Sequence, residues 1–452
     1  MQDLLAATAA RAAKYVSSIV DRSVEPSPDD VAGLDALGGA LNDEPLPADD
    51  VIELLDTFGS PATVASTGPR FFGFVVGGSL PAAMAANWLA GAWDQNAGLY
   101  ISSPVAARVE DIAAQWLLDL LALPAGAGVG FVIGATMANF TCLLAARHAL
   151  LARAGWDVEE RGLFGAPEIT VVAGAEVHAS MLKALAMAGF GRKRVVIVPV
   201  DDQGRMIPAQ MPKLDARTLV AIQAGNVNSG AFDPAAEICA LAHEAGAWVH
   251  VDGAFGLWAA AAPGRAHLVN GFSAADSWAT DCHKWLNVPY DSGLAIVRNP
   301  EHLRAAMTVR AAYLIMGEHR EPWQYTPEAS RRARGTEVWA ALKSLGRKGL
   351  AEMIERNCVL ATRFADGLRD AGFEILNKVD LNQVLVSFGD AQKTRRVIAE
   401  IQREGTCWCG GTEWHGRTAM RISVSNWSTT EEDVDRSLAA ILHAATVRTS
   451  TG

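Results

Sequence analysis

The sequence has little charge and no long run of one sign. Charged residues make up 20% of the chain, and 39 basic residues stand against 50 acidic ones, for a formal net charge of -11. The basic stretch at residues 331–334 is too short to bind a polyanion along one face. This balance provides no electrostatic footprint for nucleic acid or an anionic membrane, and we expect neither as a partner.

Cysteine is also scarce, with six residues in 452 and no spacing typical of a disulfide framework. A chain of this length buries enough apolar surface to fold without disulfides. Cys407 and Cys409 form a C-x-C pair, but no second Cys/His pair stands at zinc spacing. We therefore expect no metal site and a location in the reducing cytoplasm.

Two stretches lack charge entirely, and both exceed the roughly 20 residues that span a bilayer: residues 71–93 and 120–146. Each contains proline and several glycines, which a lipid-exposed helix tolerates poorly. The N-terminus carries an acid at Asp3 and lacks the basic start of a signal peptide. These features predict buried helices and loops of a large core.

Apolar periodicity divides the chain into three expected regions. Residues 1–60 have the spacing of amphipathic helices, residues 61–335 alternate short apolar runs with helical segments, and residues 336–452 combine a long helix with a smaller α+β unit. Alternation of strands and helices implies a mostly parallel sheet covered on both faces. The expected strands of the large unit are residues 130–133, 170–173, 194–198, 220–223, 248–251, 276–280 and 293–297.

An acid and a lysine stand where pyridoxal phosphate would need them. The expected strand 248–251 runs into Asp252, and Lys284 follows a further short strand. Ligands of open α/β sheets collect at the carboxyl ends of strands. This cofactor requires a lysine for its Schiff base, an acid beside its pyridine nitrogen, and a helix N-terminus with donors for its phosphate. The small-residue turn at 134–139 is a candidate for the phosphate site.

Two segments make the pattern specific: residues 249–254, VHVDGA, and residues 281–293, DCHKWLNVPYDSG. They closely resemble the group II pyridoxal-phosphate-dependent amino-acid decarboxylases, the family of the aromatic-amino-acid and glutamate decarboxylases. The likeness extends over most of the chain. It implies an α/β protein of fold type I, aspartate-aminotransferase-like, with a mostly parallel seven-stranded sheet in a large domain and a small C-terminal α+β domain. It also implies a homodimer with its active sites at the interface.

The resemblance assigns roles around the cofactor ring. Lys284 would hold pyridoxal phosphate as a Schiff base, and Asp252 would pair with the pyridinium nitrogen. Ala254 would pack against one ring face, while His178 would stack on the other and act in catalysis. Without the resemblance, His178 is better explained as a residue that begins a helix.

The resemblance also assigns the cofactor's other polar groups. Ala135, Thr136 and His283 would hold the phosphate. Asn226 stands where the family commonly has threonine near the ring hydroxyl, and an amide can still donate a hydrogen bond there.

Candidates for substrate recognition leave two interpretations open. Arg421 is either a surface arginine at a strand edge or a clamp for a substrate carboxylate. Phe74 and Tyr100 either line an apolar substrate pocket or belong to the core. In residues 331–334 we expect ion pairs that join the lobes, with Arg334 a weaker site candidate. Residues 407–415 either face the active site or connect two strands.

The implied reaction is decarboxylation of an L-amino acid to an amine and carbon dioxide. In the family, a tyrosine on a loop between the lysine and the arginine run protonates the product carbon. Here that stretch, residues 313–330, is short, and the nearest candidate is Tyr325, at an unexpected offset from Trp323. Loss of the donor would favour aldehyde formation; an aminotransferase, a carbon–carbon lyase and a non-catalytic binding protein are further alternatives. The substrate amino acid stays open.

Overall fold

The structure, a computed structural model, describes residues 1–309 and 319–446. Its N-terminal region is helical, as the periodicity predicts, and contains α1 (Gln2–Ser18), α2 (Pro28–Gly33) and α3 (Ala48–Gly59). Neither α1 nor α3 buries any of its residues. Some apolar side chains of these two helices, such as Leu5 and Leu55, are exposed. The domain boundaries near residues 60 and 335 stay a prediction.

A seven-stranded sheet forms the centre of the large region. Its strands are β1 (Gly128–Val132), β2 (Thr170–Gly174), β3 (Val196–Val198), β4 (Thr218–Gln223), β5 (Trp248–Asp252), β6 (Ser277–Asp281) and β7 (Gly293–Val297). Their order in space is β1-β7-β6-β5-β4-β2-β3. β7 runs antiparallel to its neighbours β1 and β6, and the other six strands run in one direction. The expected mostly parallel sheet is confirmed.

Helices cover both faces of this sheet. They are α4 (Pro81–Trp93), α5 (Pro104–Leu120), α6 (Ala135–Arg153), α7 (Val158–Arg161), α8 (Ala179–Met187), α9 (Ala235–Glu244), α10 (Pro300–Met307) and the long α11 (Gly335–Asp370). One core cluster fills the space beneath α6 and α8, and another lies on the opposite face beneath α5, α9 and α11. Both faces are thus buried, as a parallel sheet requires.

The two long uncharged stretches differ in burial. Residues 120–146 contain β1 and the first part of α6, which are mostly buried as predicted. Residues 71–93 form a loop followed by α4, which buries only Ala83 and Ala90 and leaves Trp88, Leu89 and Trp93 exposed, so the expectation of a buried helix was wrong there. Within the described ranges, none of the helices combines the length and apolar character needed to cross a bilayer.

The smaller region is built on a four-stranded antiparallel sheet in the order β10-β11-β9-β8. Its elements are β8 (Glu374–Ile375), β9 (Gln383–Ser387), α12 (Ala391–Glu404), β10 (Gly410–Trp414), β11 (Arg417–Ser423) and α13 (Glu431–Thr446). The sequence analysis did not predict β10. Its pairing with β11 shows that most of residues 407–415 form a strand and its connection.

Candidate active site

Four neighbouring strands, β6, β5, β4 and β2, end at one edge of the large sheet. Asp252 is the last residue of β5 and Asp281 the last of β6, with Lys284 three residues beyond it. Asn226 follows β4, and His178 follows β2. Because parallel strands present their carboxyl ends on one side, the topology gathers side chains that are far apart in the sequence.

The Lys284 amine lies beside the buried acid Asp281. Its Nζ is 3.2 Å from Asp281 Oδ2, and 17% of the lysine side chain is exposed. Asp281 Oδ1 accepts a hydrogen bond from the backbone N–H of Ala135 at 2.5 Å. The acid therefore joins the lysine loop to the first turn of α6, which keeps the amine next to that helix N-terminus.

The Asp252 carboxylate is buried, and both of its oxygens accept hydrogen bonds. The backbone N–H of Ala254 donates to Oδ1 at 3.3 Å, and Asn139 Nδ2 donates to Oδ2 at 3.2 Å. A carboxylate removed from water needs such hydrogen-bond donors. Ala254 itself is partly exposed at the strand end.

His178 combines both interpretations that the sequence left open. It is the N-cap of α8, where its Nδ1 accepts a hydrogen bond from the backbone N–H of Ser180 at 3.2 Å. Burial lowers the pKa of His178; the negative charge of Asp252 acts to raise this pKa, and the positive charge of Lys284 acts to lower it. The imidazole is therefore neutral at pH 7, carries its proton on Nε2, and faces the charges of the site.

The turn between β1 and α6 brings the backbone of α6 close to the lysine loop. Gly134 has a φ of 152°, and a Cβ there would lie 3.1 Å from the His283 ring. A Cβ on Gly293 would lie 2.5 Å from the Gly134 backbone, so both positions favour glycine. The backbone N–H groups at Ala135 and Thr136 begin α6 and are a helix N-terminus suited to an anion.

His283 is oriented by the same loop. Its Nδ1 accepts a hydrogen bond from the backbone N–H of Ser292 at 3.1 Å, which leaves the proton on Nε2. Burial lowers the pKa of His283, against the negative charge of Asp281. The ring therefore presents a neutral N–H donor beside the first turn of α6.

Asn226 has one donor to spare. Its Oδ1 accepts hydrogen bonds from the backbone N–H groups of Asn228 and Ser229 at 2.8 Å and 3.2 Å. Its Nδ2 is buried and has no hydrogen-bond partner among the described residues. An unpaired buried donor is costly, so this amide suits a ligand oxygen.

Arg421 lies on β11 of the smaller region. Its positive charge acts to lower the pKa of His178. Burial lowers the pKa of Arg421. Its one hydrogen bond to the described residues is a long one, 3.4 Å to the carbonyl of Val227, and none of the ion pairs found in those ranges includes it. A mostly buried guanidinium in this state favours an anionic ligand.

Two aromatic candidates make no described contact with Lys284. Phe74 is 60% exposed and packs on Trp408, with ring centroids 5.1 Å apart. Tyr100 stacks on His319 with a centroid separation of 3.9 Å. Their roles in substrate binding stay predictions.

Tyr325 lies away from the gathered side chains. Its carbonyl oxygen would be 2.0 Å from a Cβ on Gly130 of the edge strand β1, and Arg320 covers its ring at 3.8 Å. The ring packs against the core cluster beneath α6 and α8. Two strands, β1 and β7, therefore separate it from the strand that leads to Lys284. Its role as proton donor stays a prediction without support from this position; Tyr313, at the start of the expected loop, lies outside the described residues.

The arginine run forms the expected ion pairs, but with partners in the large region. Arg331 pairs with the buried Glu110 of α5 at 2.7 Å, and Arg334 pairs with Asp291 of the lysine loop at 2.8 Å. These pairs attach the start of α11 to the large region. Arg334 thus acts on the site through the lysine loop.

Sequence reasoning missed three polar residues beneath the site: Asp281, Asn139 and His250. A signal existed for two of them. His250 precedes Asp252 by two residues and must share its sheet face, and Asn139 lies on the first turns of α6, which cover that face. The contact that joins them is visible only in the folded chain.

The fold and this site together define a fold type I enzyme for pyridoxal phosphate. The sequence profile described as "Pyridoxal-dependent decarboxylase conserved domain" matches residues 34–389, and the chain belongs to that family. It is accordingly a carboxy-lyase that uses pyridoxal phosphate and acts on an amino acid.

Several known proteins are similar to this chain. Tryptophan decarboxylase 1 of Oryza sativa subsp. japonica is 29% identical over 399 residues, which cover 79% of this chain and 76% of that protein. L-2,4-diaminobutyrate decarboxylase of Rhizobium meliloti is 28% identical over 380 residues, covering 79% and 74%. The crystal structure of Oryza sativa TDC with PLP and tryptamine superposes with a TM-score of 0.89 at 23% identity, covering 98% of this chain and 97% of that one.

The residues present fit the cofactor. The unpaired Asn226 amide is a donor for an oxygen substituent, and the close approach of Gly134 and Gly293 leaves a backbone cradle at the start of α6 for a phosphate. A lysine amine and a hydrogen-bonded carboxylate stand at adjacent strand ends.

Proposed function

We propose that the chain decarboxylates an L-amino acid to the amine and carbon dioxide, with Lys284 as the point of cofactor attachment. One observation carries this assignment: the lysine loop that holds the Lys284 amine follows β6, and the hydrogen-bonded Asp252 carboxylate ends the neighbouring strand β5, at the same edge of the sheet. When bound, pyridoxal phosphate supplies an electron sink for the bond that breaks at the substrate Cα.

Each side chain then has a part that its geometry supports. Asp252 keeps the cofactor's ring nitrogen protonated, because its two oxygens are held as acceptors at the strand end. His178 would cover one face of the ring and, being neutral, would add no charge beside the positive nitrogen. Ala254 would cover the other face.

The phosphate is held by backbone N–H groups at Ala135 and Thr136 and by the Nε2 proton of His283. Asp281 currently accepts the Ala135 N–H and pairs with Lys284. Asp281 Oδ1 is also 3.4 Å from His283 Nε2, so the same acid contacts the lysine and the histidine that would hold the phosphate.

Arg421 binds a carboxylate of the substrate. Its burial without an acidic partner in the described ranges supports this role. Arg421→Met should raise KM at least about tenfold, since a charged hydrogen-bonding partner is lost, while the visible absorbance of the bound cofactor stays unchanged. The matched control is Arg417→Met on the same strand, an exposed residue paired with Glu374. Equal KM values for the two variants would remove Arg421 from the substrate site.

A substrate panel tests the reaction itself. The holoenzyme is incubated with aromatic, acidic and diamino L-amino acids, and carbon dioxide, amine, ketoacid and aldehyde are followed by mass spectrometry. We expect carbon dioxide and amine in equal amounts; ketoacid without carbon dioxide would contradict the proposal. Lys284→Ala should abolish turnover, whereas Lys348→Ala, whose side chain is 91% exposed, should not change it.

One observation favours a second reaction. Tyr325 lies beyond the edge strand β1, and β1 and β7 separate it from the strand that leads to Lys284. If this tyrosine does not reach the product carbon, decarboxylation coupled to aldehyde formation is the alternative, with dioxygen and water consumed and ammonia and hydrogen peroxide released. Aldehyde that appears only in aerated buffer would favour it over amine formation.

We also propose a homodimer and a cytoplasmic location. The unburied apolar side chains of α1 and α3, Leu5 and Leu55 among them, support an association surface. All six cysteines are unpaired, which suits a reducing compartment. Sedimentation at several protein concentrations tests the first, and cell fractionation the second.

A further inference from the structure

The sheet face beneath the site contains polar side chains in an otherwise apolar core. Trp248, His250 and Asp252 alternate along β5 and point toward α6, while Val249 and Val251 point to the opposite core. His250 is fully buried, and its direct cross-strand neighbour in the register is Ser277 of β6. Buried polar groups of this kind need hydrogen-bond partners.

These groups form a continuous chain of hydrogen bonds. Trp248 Nε1 is 3.0 Å from Ser277 Oγ, which is 2.8 Å from His250 Nδ1. His250 Nε2 is 2.9 Å from Asn139 Oδ1, and Asn139 Nδ2 is 3.2 Å from Asp252 Oδ2. This hydrogen-bond chain begins at the buried Trp248 and ends on the carboxylate of Asp252 at the end of β5.

The two ends impose one direction on the chain. The Trp248 indole can only donate, so Ser277 Oγ accepts there and its own proton is free for His250 Nδ1. The ring then carries its proton on Nε2 and donates to Asn139 Oδ1. At the other end, the ionised Asp252 can only accept, and the Asn139 amide nitrogen donates to it. Every group therefore donates toward Asp252.

The neutral state of His250 is required for this direction. Burial lowers the pKa of His250 to about 3. Its ring nitrogens contact Ser277 of β6 and Asn139 of α6. The first acid in this series of hydrogen bonds is Asp252, which Asn139 contacts. A neutral imidazole has one donor and one acceptor, which are the two that the chain uses.

We propose that Trp248, Ser277 and His250 fix the amide orientation of Asn139, and that this one-way chain holds the Asp252 carboxylate in position for the cofactor's ring nitrogen. His250 and Asn139 are positioning residues: an amide free to rotate could turn its oxygen to Asp252 and repel it. The inference rests on the proposed function, in which Asp252 pairs with that nitrogen.

The test compares two substitutions at His250 in the holoenzyme. His250→Leu removes both ring nitrogens, and we expect the cofactor's dissociation constant to rise about tenfold to a hundredfold, since a hydrogen bond to a charged group becomes disordered. Its visible spectrum should shift as the ring nitrogen loses its fixed partner. His250→Gln restores a donor toward Asn139, and we expect it to recover the wild-type spectrum and most of the affinity.

Cys142→Ala provides the matched control. Cys142 is fully buried on the same helix as Asn139. It contacts the carbonyls of Trp278 and Ile296, which are not part of the hydrogen-bond chain. We expect it to lower thermal stability and to leave the cofactor spectrum unchanged. If His250→Leu gives the wild-type spectrum and affinity, or if His250→Gln is as impaired as His250→Leu, the proposal is overturned.

A smaller change covers the case in which His250→Leu fails to fold. Ser277→Ala removes one oxygen atom and separates Trp248 from His250. We expect the cofactor's dissociation constant to rise about twofold to tenfold, as for one neutral hydrogen bond, with the spectral shift in the same direction. An unchanged spectrum and affinity would contradict a directed chain.

The same measurements separate this proposal from the proposed function. If the wild-type protein binds no pyridoxal phosphate or releases no carbon dioxide from any amino acid, the proposed function fails, and the positioning role fails with it. If the wild-type protein does both while the His250 and Ser277 variants match Cys142→Ala, the function stands and the directed chain alone is refuted.

Discussion

The two faces of strand β5 differ sharply although they are built from five consecutive residues. Val249 and Val251 face a core cluster of apolar side chains, whereas Trp248, His250 and Asp252 face α6 and are linked by hydrogen bonds. All five are buried. Because strand side chains alternate, one face of β5 packs in the apolar core and the other face carries the polar side chains that lead to Asp252.

The difference has an energetic reason. The valine face is stabilised by removal of apolar surface from water, and this stabilisation does not depend on the orientation of individual atoms. The polar face gains stability only if each donor meets an acceptor, which is sensitive to every atom in the chain. We therefore expect changes on the polar face to affect activity, and changes on the valine face to affect stability.

The largest expected effect lies on the polar face. Asp252→Asn keeps the shape of the side chain but removes its negative charge, so the cofactor's ring nitrogen would lose the ionic partner that the proposed function gives it. We expect kcat to fall at least about a hundredfold, the range seen when a preorganised electrostatic contact is removed. Steady-state kinetics of carbon dioxide release measure it, and thermal denaturation should show a folded protein. Retention of more than a tenth of kcat would contradict the assignment of Asp252.

Val251→Ala is the reciprocal change on the other face. It removes two buried carbon atoms and should lower the free energy of unfolding by about 2 kcal/mol, with kcat and the cofactor spectrum preserved. Denaturation in urea measures the loss. A large fall in kcat without loss of stability would mean that the two faces are not independent.

The acid response of the polar face follows from His250. Its pKa is about 3 in the folded protein and about 6.5 when unfolded. Below pH 6.5 the unfolded chain takes up a proton that the folded one refuses, so stability falls by about 1.4 kcal/mol per pH unit from this group. The stability that the neutral His250 contributes is lost progressively as the pH falls from 6.5 toward 3.

His250→Gln should reduce that slope between pH 6.5 and 5, as measured by unfolding at several pH values. His267→Gln is the control, because its imidazole is exposed and hydrated in the folded protein as well. Identical slopes for wild type and His250→Gln would show that His250 accepts a proton in the folded protein. That result would contradict the proposed direction of the hydrogen-bond chain.

The smallest effect is expected at Tyr325, which lies on neither face of β5. Tyr325→Phe should change kcat by less than about twofold, since a hydroxyl outside the site contributes no transition-state contact. Product analysis by mass spectrometry accompanies the kinetics. A switch from amine to aldehyde in this variant would return Tyr325 to the role of proton donor.

Much of the fold and of the cofactor's surroundings was predictable. Strand and helix alternation predicted the parallel sheet, because each element buries one stripe of apolar residues. The segments around Asp252 and Lys284 predicted the cofactor, because its chemistry requires those residue types. The small-region strand β10 was not predicted, since Gly410 and Gly411 weaken the local strand pattern.

The sequence by itself determined which cofactor this protein uses, and it predicted the lysine and the acid that would serve it, because those requirements are met by short runs of neighbouring residues. The tertiary structure alone decided that Asn139, 113 residues from Asp252, reaches its carboxylate, that His178 both caps α8 and faces the site, and that Tyr325 lies beyond β1. These are contacts between distant segments, and they depend on strand order and on the side of the sheet that each helix covers.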